Sequence, residues 1–165
     1  MAGVRLVVPD TDVFEREVAS KFAFLESEFQ FARMAIDPRL ANPGMVVAAI
    51  FERPGLILRT EFDRGVPELF FDVTAPVAWL RAGDSRVFSL GQVLLAVAPK
   101  DFHEGPPALA GATLSTAETC AAVLAWQAGM LERHCAAILA GDFSMLSRVR
   151  HASVPTVPAR QPGSG

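Results

Sequence analysis

The chain has 165 residues, 51% of them hydrophobic, a formal net charge of −3 and a mean hydropathy of +0.31. That length suits one domain burying roughly two thirds of its unfolded surface, and the longest apolar run, Met45 to Phe51, falls far short of the ~20 residues of a membrane span. Thirteen arginines and two lysines are scattered instead of forming a basic stripe, which argues against a nucleic-acid partner.

At the start of the chain Arg5 is followed by only Leu6, Val7 and Val8 before Pro9 and Asp10. That is too short for the apolar core of a secretory signal, so a cytoplasmic protein is expected. Apolar residues then recur at Phe14, Val18, Phe22, Leu25 and Phe29, the stripe of an amphipathic helix from Asp10 to about Glu28. Asp10, Thr11 and Asp12 supply capping oxygens and negative charge where the helix dipole favours it. Phe31 to Asp37 alternates and predicts a first strand, ended by Pro38 and the Asn42-Pro43-Gly44 turn.

Met45 to Val73 contains three β-type runs joined by Pro54-Gly55 and Asp63-Arg64-Gly65, connections short enough for antiparallel hairpins. In the middle run Leu56, Leu58, Thr60 and Phe62 alternate with Ile57, Arg59, Glu61 and Asp63, the period of a strand with one wet face. Register is thereby set, because a slip by one residue would bury Arg59 and Glu61 and expose Leu58. Pro67 is tolerated near the start of the third run if that end is an edge. Together with the first strand these runs predict a four-stranded, or slightly larger, antiparallel meander.

Beyond Thr74, Pro76 to Leu80 reads as a short strand or an extended crossing segment, and Ser89 to Val97 as a capped short helix over Leu90, Val93, Leu94 and Val97. Ala98 to Ala112, rich in Pro and Gly, reads as a surface loop carrying Lys100, Asp101, His103 and Glu104. Ser115-Thr116-Ala117-Glu118 is a capping box. It opens a helix to about Ala140, with Cys120, Leu124, Leu131, Cys135 and Ile138 on one stripe and Gly141 as its stop. Asp142 caps a last short helix through Arg148, and the Pro-, Gly- and Ser-rich residues from Ala152 read as a disordered tail. The expectation is a single α+β domain over 1–151, with the N-terminal and the long C-terminal helix on one face of the sheet.

The chemistry-bearing residues do not assemble a catalytic pattern. His103-Glu104 lacks a second histidine at helical spacing and so lacks the zinc-protease motif. His134 and Cys135 are adjacent on a helix and point about 100° apart, too far to form a thiol–imidazole pair. Cys120 and Cys135 lie ~22 Å apart along one helix and read as buried reduced thiols. There is no nucleophile elbow, dinucleotide fingerprint or phosphate loop. Trp79 and Trp126 suit partial burial, with a pocket or a partner anchor as the functional alternative. No catalytic residue, metal ligand or cofactor site is therefore assigned. The outward strand positions are more suggestive: Arg59, Glu61, Asp63, Glu68, Phe70 and Asp72 share one face, a candidate docking surface for a basic protein partner.

Two segments resemble small bacterial immunity proteins of polymorphic-toxin systems. FAFLESEFQF, Phe22 to Phe31, is similar to their F-x-F-L-x-x-E-F-G-F entry from first helix to sheet, and ILAGDFSML, Ile138 to Leu146, to their I-L-x-G-D-F-S turn between helices. The resemblance implies a cytoplasmic, non-enzymatic protein that neutralises a toxin by binding it, as a monomer or homodimer. Gln30 stands where that pattern has Gly, so a left-handed residue there carries the cost of a Cβ. Two other readings fit the residues: a dimeric secretion-chaperone-like adaptor joined through the Ser115–Ala140 helix, and a hydrolase or ligand-binding domain using His103, Glu104 and a Trp-lined pocket.

Overall fold

A computed structural model of the protein describes residues 7–35, 45–106 and 115–153. Three strands of eight residues form its centre: β2 (Val46–Arg53), β3 (Leu56–Asp63) and β4 (Val66–Val73), flanked by the short β1 (Ala32–Met34) and β5 (Val87–Ser89). All neighbours are antiparallel and the order is β1-β2-β3-β4-β5, an open five-stranded meander.

The two hairpin turns follow from their residues. Gly55 has φ +88°, the second centre position that a Pro-Gly type II turn requires. Arg64 and Gly65 have φ +51° and +83°, the pair of positive values of a type I′ turn, whose twist matches that of the strands it joins. Arg64 is thus a non-glycine residue in the left-handed region.

The alternation in β3 holds in space. Leu56, Leu58, Thr60 and Phe62 are at most 1% exposed, while none of their outward neighbours is buried. Against this inner face pack α1 (Thr11–Lys21), α2 (Ala23–Ser27), α3 (Leu90–Val97), α4 (Pro99–Glu104), α5 (Thr116–His134), α6 (Ala136–Leu139) and α7 (Ser144–Ser153), some directly and some through other helices. Phe14 of α1 meets Phe62 edge-on at 6.0 Å, and Phe22 stacks on Phe51 at 6.0 Å, so the first helical stripe reaches the sheet through aromatic pairs.

Several sequence expectations need correction. The first helix is not continuous to Glu28; it breaks at Phe22, whose ψ of 12° separates α1 from α2 while keeping Phe22 and Leu25 in the core. The first strand covers three residues and does not run from Phe31; Ile36 and Asp37 lie outside the described residues. Pro76 to Leu80 is an irregular crossing segment, and the fifth strand is Val87–Ser89, too short to show alternation. Within α3, Val97 is 38% exposed and does not join the buried stripe.

Most of the expected Ala98–Ala112 loop that is described is helix α4. Pro99 occupies its first position, where a missing N–H costs nothing and the fixed φ is already helical, so the proline starts an element instead of breaking one. Residues 107–112 and 154–165 lie outside the described chain. The long C-terminal helix divides at Cys135 into α5 and α6, and α7 extends beyond Arg148 to Ser153.

Both capping boxes are formed. The N–H of Glu118 donates to Ser115 Oγ at 3.2 Å and the N–H of Ser115 to Glu118 Oε2 at 2.8 Å; Ser89 and Gln92 repeat the arrangement at α3. Asp142 Oδ1 accepts the N–H of Ser144 at 3.0 Å, and Gly141, at φ +97°, lies just beyond α6.

Gln30 has φ +60°, in the left-handed region, where a Cβ is strained. The turn carries the chain from α2 into β1, with the N–H of Phe31 donating to the carbonyl of Leu25. Gln30→Gly is expected to stabilise the domain by about 0.5–1 kcal/mol, because relief of the Cβ strain exceeds glycine's greater unfolded-state entropy. Urea denaturation at neutral pH measures it; a lower midpoint for the variant would show that the turn is unstrained.

Candidate functional site

Among the described residues the helices lie on the inner side, and the outer face of the sheet carries its own side chains. The pairing register places them in rows: Met34, Ile50, Arg59, Phe70 and Ser89 in one, Glu52, Ile57 and Asp72 in the next, Ala48, Glu61 and Glu68 on the other side, and Val46, Asp63 and Val66 last. All six residues singled out from the sequence therefore share one face. Glu52 and the apolar residues of β2 and β1 join them, since the register puts Val46, Ala48, Ile50 and Met34 on the same face.

Arg59 is held inside this face. Its Nε lies 3.1 Å from Glu61 Oε2, and its guanidinium sits 4.9 Å from the Phe70 ring centroid, a cation–π contact across the strand pair. Five carboxylates, those of Glu52, Glu61, Asp63, Glu68 and Asp72, share the face with this one arginine.

Glu61 and Glu68 are direct cross-strand partners, an arrangement in which like charges lie within about 5.5 Å at Cβ and destabilise the sheet. The Glu61 side chain is only 14% exposed. Burial is the first cause that pushes its pKa above the usual carboxylate value; Arg59 opposes the shift, while Asp63 and Glu68 add to it. Glu68 is exposed and makes no hydrogen bond or ion pair among the described residues. Asp63 has Arg64 Nε 3.4 Å from its Oδ1, at the turn.

The other candidates separate. His103 is exposed at the end of α4, its ring against Phe102 at 5.3 Å, and adjacent Glu104 reaches Lys100 at 3.7 Å. The histidine that finds a carboxylate is His134, whose Nε2 lies 2.7 Å from Asp101 Oδ2. This pair, 33 residues apart in sequence, depends on Pro99–Glu104 being a helix where the sequence predicts a loop. It joins the end of α5 to α4. Cys120 and Cys135 are buried and unpaired, and burial raises their thiols to about 11 and about 12, far from a reactive thiolate. Trp79 and Trp126 are partly buried against the core, Trp79 edge-on to Phe88. Among the described residues there is no group of three or more His, Cys, Asp or Glu placed to hold a metal ion, and no helix is long and apolar enough to cross a membrane.

The segments Phe22–Phe31 and Ile138–Leu146 meet away from the acidic face, around Arg53. Its Nη1 donates to the carbonyl of Phe29 at 3.2 Å and to that of Leu139, its guanidinium lies 5.8 Å from the Phe31 ring, and Gly141 adjoins its Nη2. No protein-family model, no curated protein and no solved structure matches this chain.

Proposed function

We propose that this chain is a non-enzymatic protein-binding domain that docks a basic protein surface on the outer face of its sheet, the role an immunity protein plays towards its toxin. The observation that carries this reading is the Glu61–Glu68 pair: two carboxylates set directly opposite each other, one of them with a side chain only 14% exposed, on a face that none of the described helices covers. Solubility alone would be served by alternating signs, which stabilise a sheet, whereas the like-charged pair weakens it. A positive partner reverses the sign of that contribution and gains the fast, selective encounter that complementary charge provides.

The proposal ties stability and binding in opposite directions. The double variant Glu61→Gln, Glu68→Gln is expected to be more stable than the parent by about 0.5 kcal/mol at pH 7. Glu61 has a raised folded-state pKa, so its protonation favours folding: that contribution is full below the ordinary value of 4.5 and is lost as pH rises through the raised value. The advantage of the variant is therefore present at neutral pH and shrinks as pH falls towards 4.5. The lowered pKa values of Glu118 and Asp142 act oppositely in acid, but they are common to both proteins and cancel.

In an affinity capture from the native host, the parent chain is expected to retain a basic protein that the better-folded double variant releases. Equal retention by both, or a partner with no basic surface, would overturn the proposal.

A further inference from the structure

Arg59 is the only cation among the outward side chains of β2, β3 and β4, and it is engaged twice. Its Nε lies 3.1 Å from Glu61 Oε2 and its guanidinium 4.9 Å from the centre of the Phe70 ring. The register gathers three side chains into one seat: Glu61 on β3, Glu68 directly opposite on β4, and Phe70, the next outward residue of β4 and the direct partner of Arg59. Carboxylates beside an aromatic face are what a planar guanidinium binds, by charge-assisted hydrogen bonds in its plane and by the ring quadrupole beneath it. Arg59 fills the seat only in part. It grows from the same strand as Glu61, two residues away, and leaves Glu68 exposed and without a hydrogen bond or ion pair among the described residues.

We infer that Arg59 is the displaceable internal occupant of an arginine seat, and that an arginine of the docked partner takes its place between Glu61 and Glu68 against Phe70. This rests on the docking role proposed above and names the side chain which that role recognises. Directly opposed residues on antiparallel strands stand within about 5.5 Å at Cβ, so an arginine arriving from above the sheet meets both carboxylates with its fork, which the point charge of a lysine does not. Arg59 has a second place to go. In the row on its other side Glu52 of β2 and Asp72 of β4 are its diagonal neighbours, about 7–8 Å away across the strands and within reach of a long side chain. Neither of these carboxylates has a hydrogen bond or ion pair among the described residues. The exchange thus keeps Arg59 beside a negative charge and turns the repulsion between Glu61 and Glu68 into a shared attraction. Arg59 gives up little packing in leaving, since 45% of its side chain is exposed.

The test uses the full chain and a Gly-Ser peptide carrying two arginines, with lysine and citrulline counterparts of the same length, titrated at low salt and followed by NMR shifts. The parent is expected to bind the arginine peptide at least ~3-fold tighter than the lysine peptide, and the citrulline peptide, which keeps the shape without the charge, not at all. Arg59→Met vacates the seat while keeping the aliphatic stem; it should tighten the arginine peptide ~5–10-fold and the lysine peptide only ~2-fold. Arg64→Met removes a positive charge at the turn of the same hairpin, outside the seat, where Arg64 Nε lies 3.4 Å from Asp63 Oδ1, and should change both peptides alike by ~2-fold or less. Phe70→Leu should erase the preference for arginine over lysine. Circular dichroism checks that each variant is folded, and the two arginine variants decide the matter without Phe70→Leu. Equal gains in Arg59→Met and Arg64→Met, or no preference for arginine, with binding still lost in the Glu61→Gln, Glu68→Gln variant, overturn the seat and leave the acidic docking face standing. Unchanged or weaker binding of the arginine peptide by the Arg59→Met chain also overturns the inference, and the capture experiment then decides the docking role by itself.

Discussion

Replacement of Arg53 by alanine is expected to lower the stability of the domain by about 3 kcal/mol, a fall in Tm of about 6–12 °C for a chain of this size. Arg53 ends β2, yet its guanidinium serves two helix ends. The carbonyl of Phe29 lies just past the C-cap of α2, while that of Leu139 is the last of α6, an acceptor left without an intrahelical partner; both take a hydrogen from Nη1. Leu139 is fully buried, so no water replaces the lost donor without opening the core. Each unsatisfied buried acceptor costs ~1–3 kcal/mol, and loss of the aliphatic stem adds packing. Nε of Arg53 is buried without a partner, a penalty the folded state carries already. Arg53→Lys keeps the charge but concentrates it at one point and is expected to recover about half of the loss. Arg53→Met keeps the stem without donors. A methionine variant as stable as the parent in guanidinium denaturation would reduce Arg53 to a packing role.

The position of Arg53 also explains why the sequence was legible in some places and not in others. Phe22–Phe31 and Ile138–Leu146 are far apart in the sequence; in space Phe29, Phe31, Leu139 and Gly141 converge on one guanidinium. The two segments thus tie two helix ends to a hairpin, a requirement of architecture that several functions can share. The meander was readable because period-two alternation and turn chemistry agree over twenty-eight residues, from Val46 to Val73. β5 and α4 were not. The first has three residues, and the second opens on a proline that serves equally as a helix start and as a loop signal. The candidate face was legible in β3 and β4, where charge alternates with apolar residues. Its β2 half was not, since Val46, Ala48 and Ile50 differ little from the inward Val47, Ala49 and Phe51, and only pairing tells the two faces apart.

Thr60 is the one polar side chain in the inward column of β3, and its replacement by valine is expected to cost about 2 kcal/mol although size and shape are kept. Its Oγ1 donates to Gln127 Oε1 of α5 at 2.7 Å, with the two residues 0% and 3% exposed. Valine leaves that amide oxygen buried without its donor, and the desolvation penalty of the orphan exceeds the small net worth of the bond itself. Removing both partners tests the cause: Thr60→Val with Gln127→Leu restores an apolar contact of similar volume and should recover most of the loss, a coupling of about 1–2 kcal/mol in a double-mutant cycle. Additive losses would mean that valine acts through packing and not through the orphaned amide. The pair joins the centre of the sheet to the longest helix at one fixed register, since a helix shifted by one residue would bring Ala128 or Trp126 opposite Thr60 and leave Gln127 without the hydroxyl. The same strand presents Arg59 and Glu61 to the other side. A repaired double variant should therefore keep its stability and its outer face, while allowing the helix to settle less specifically against the sheet, detectable as broadened side-chain NMR signals with little change in Tm.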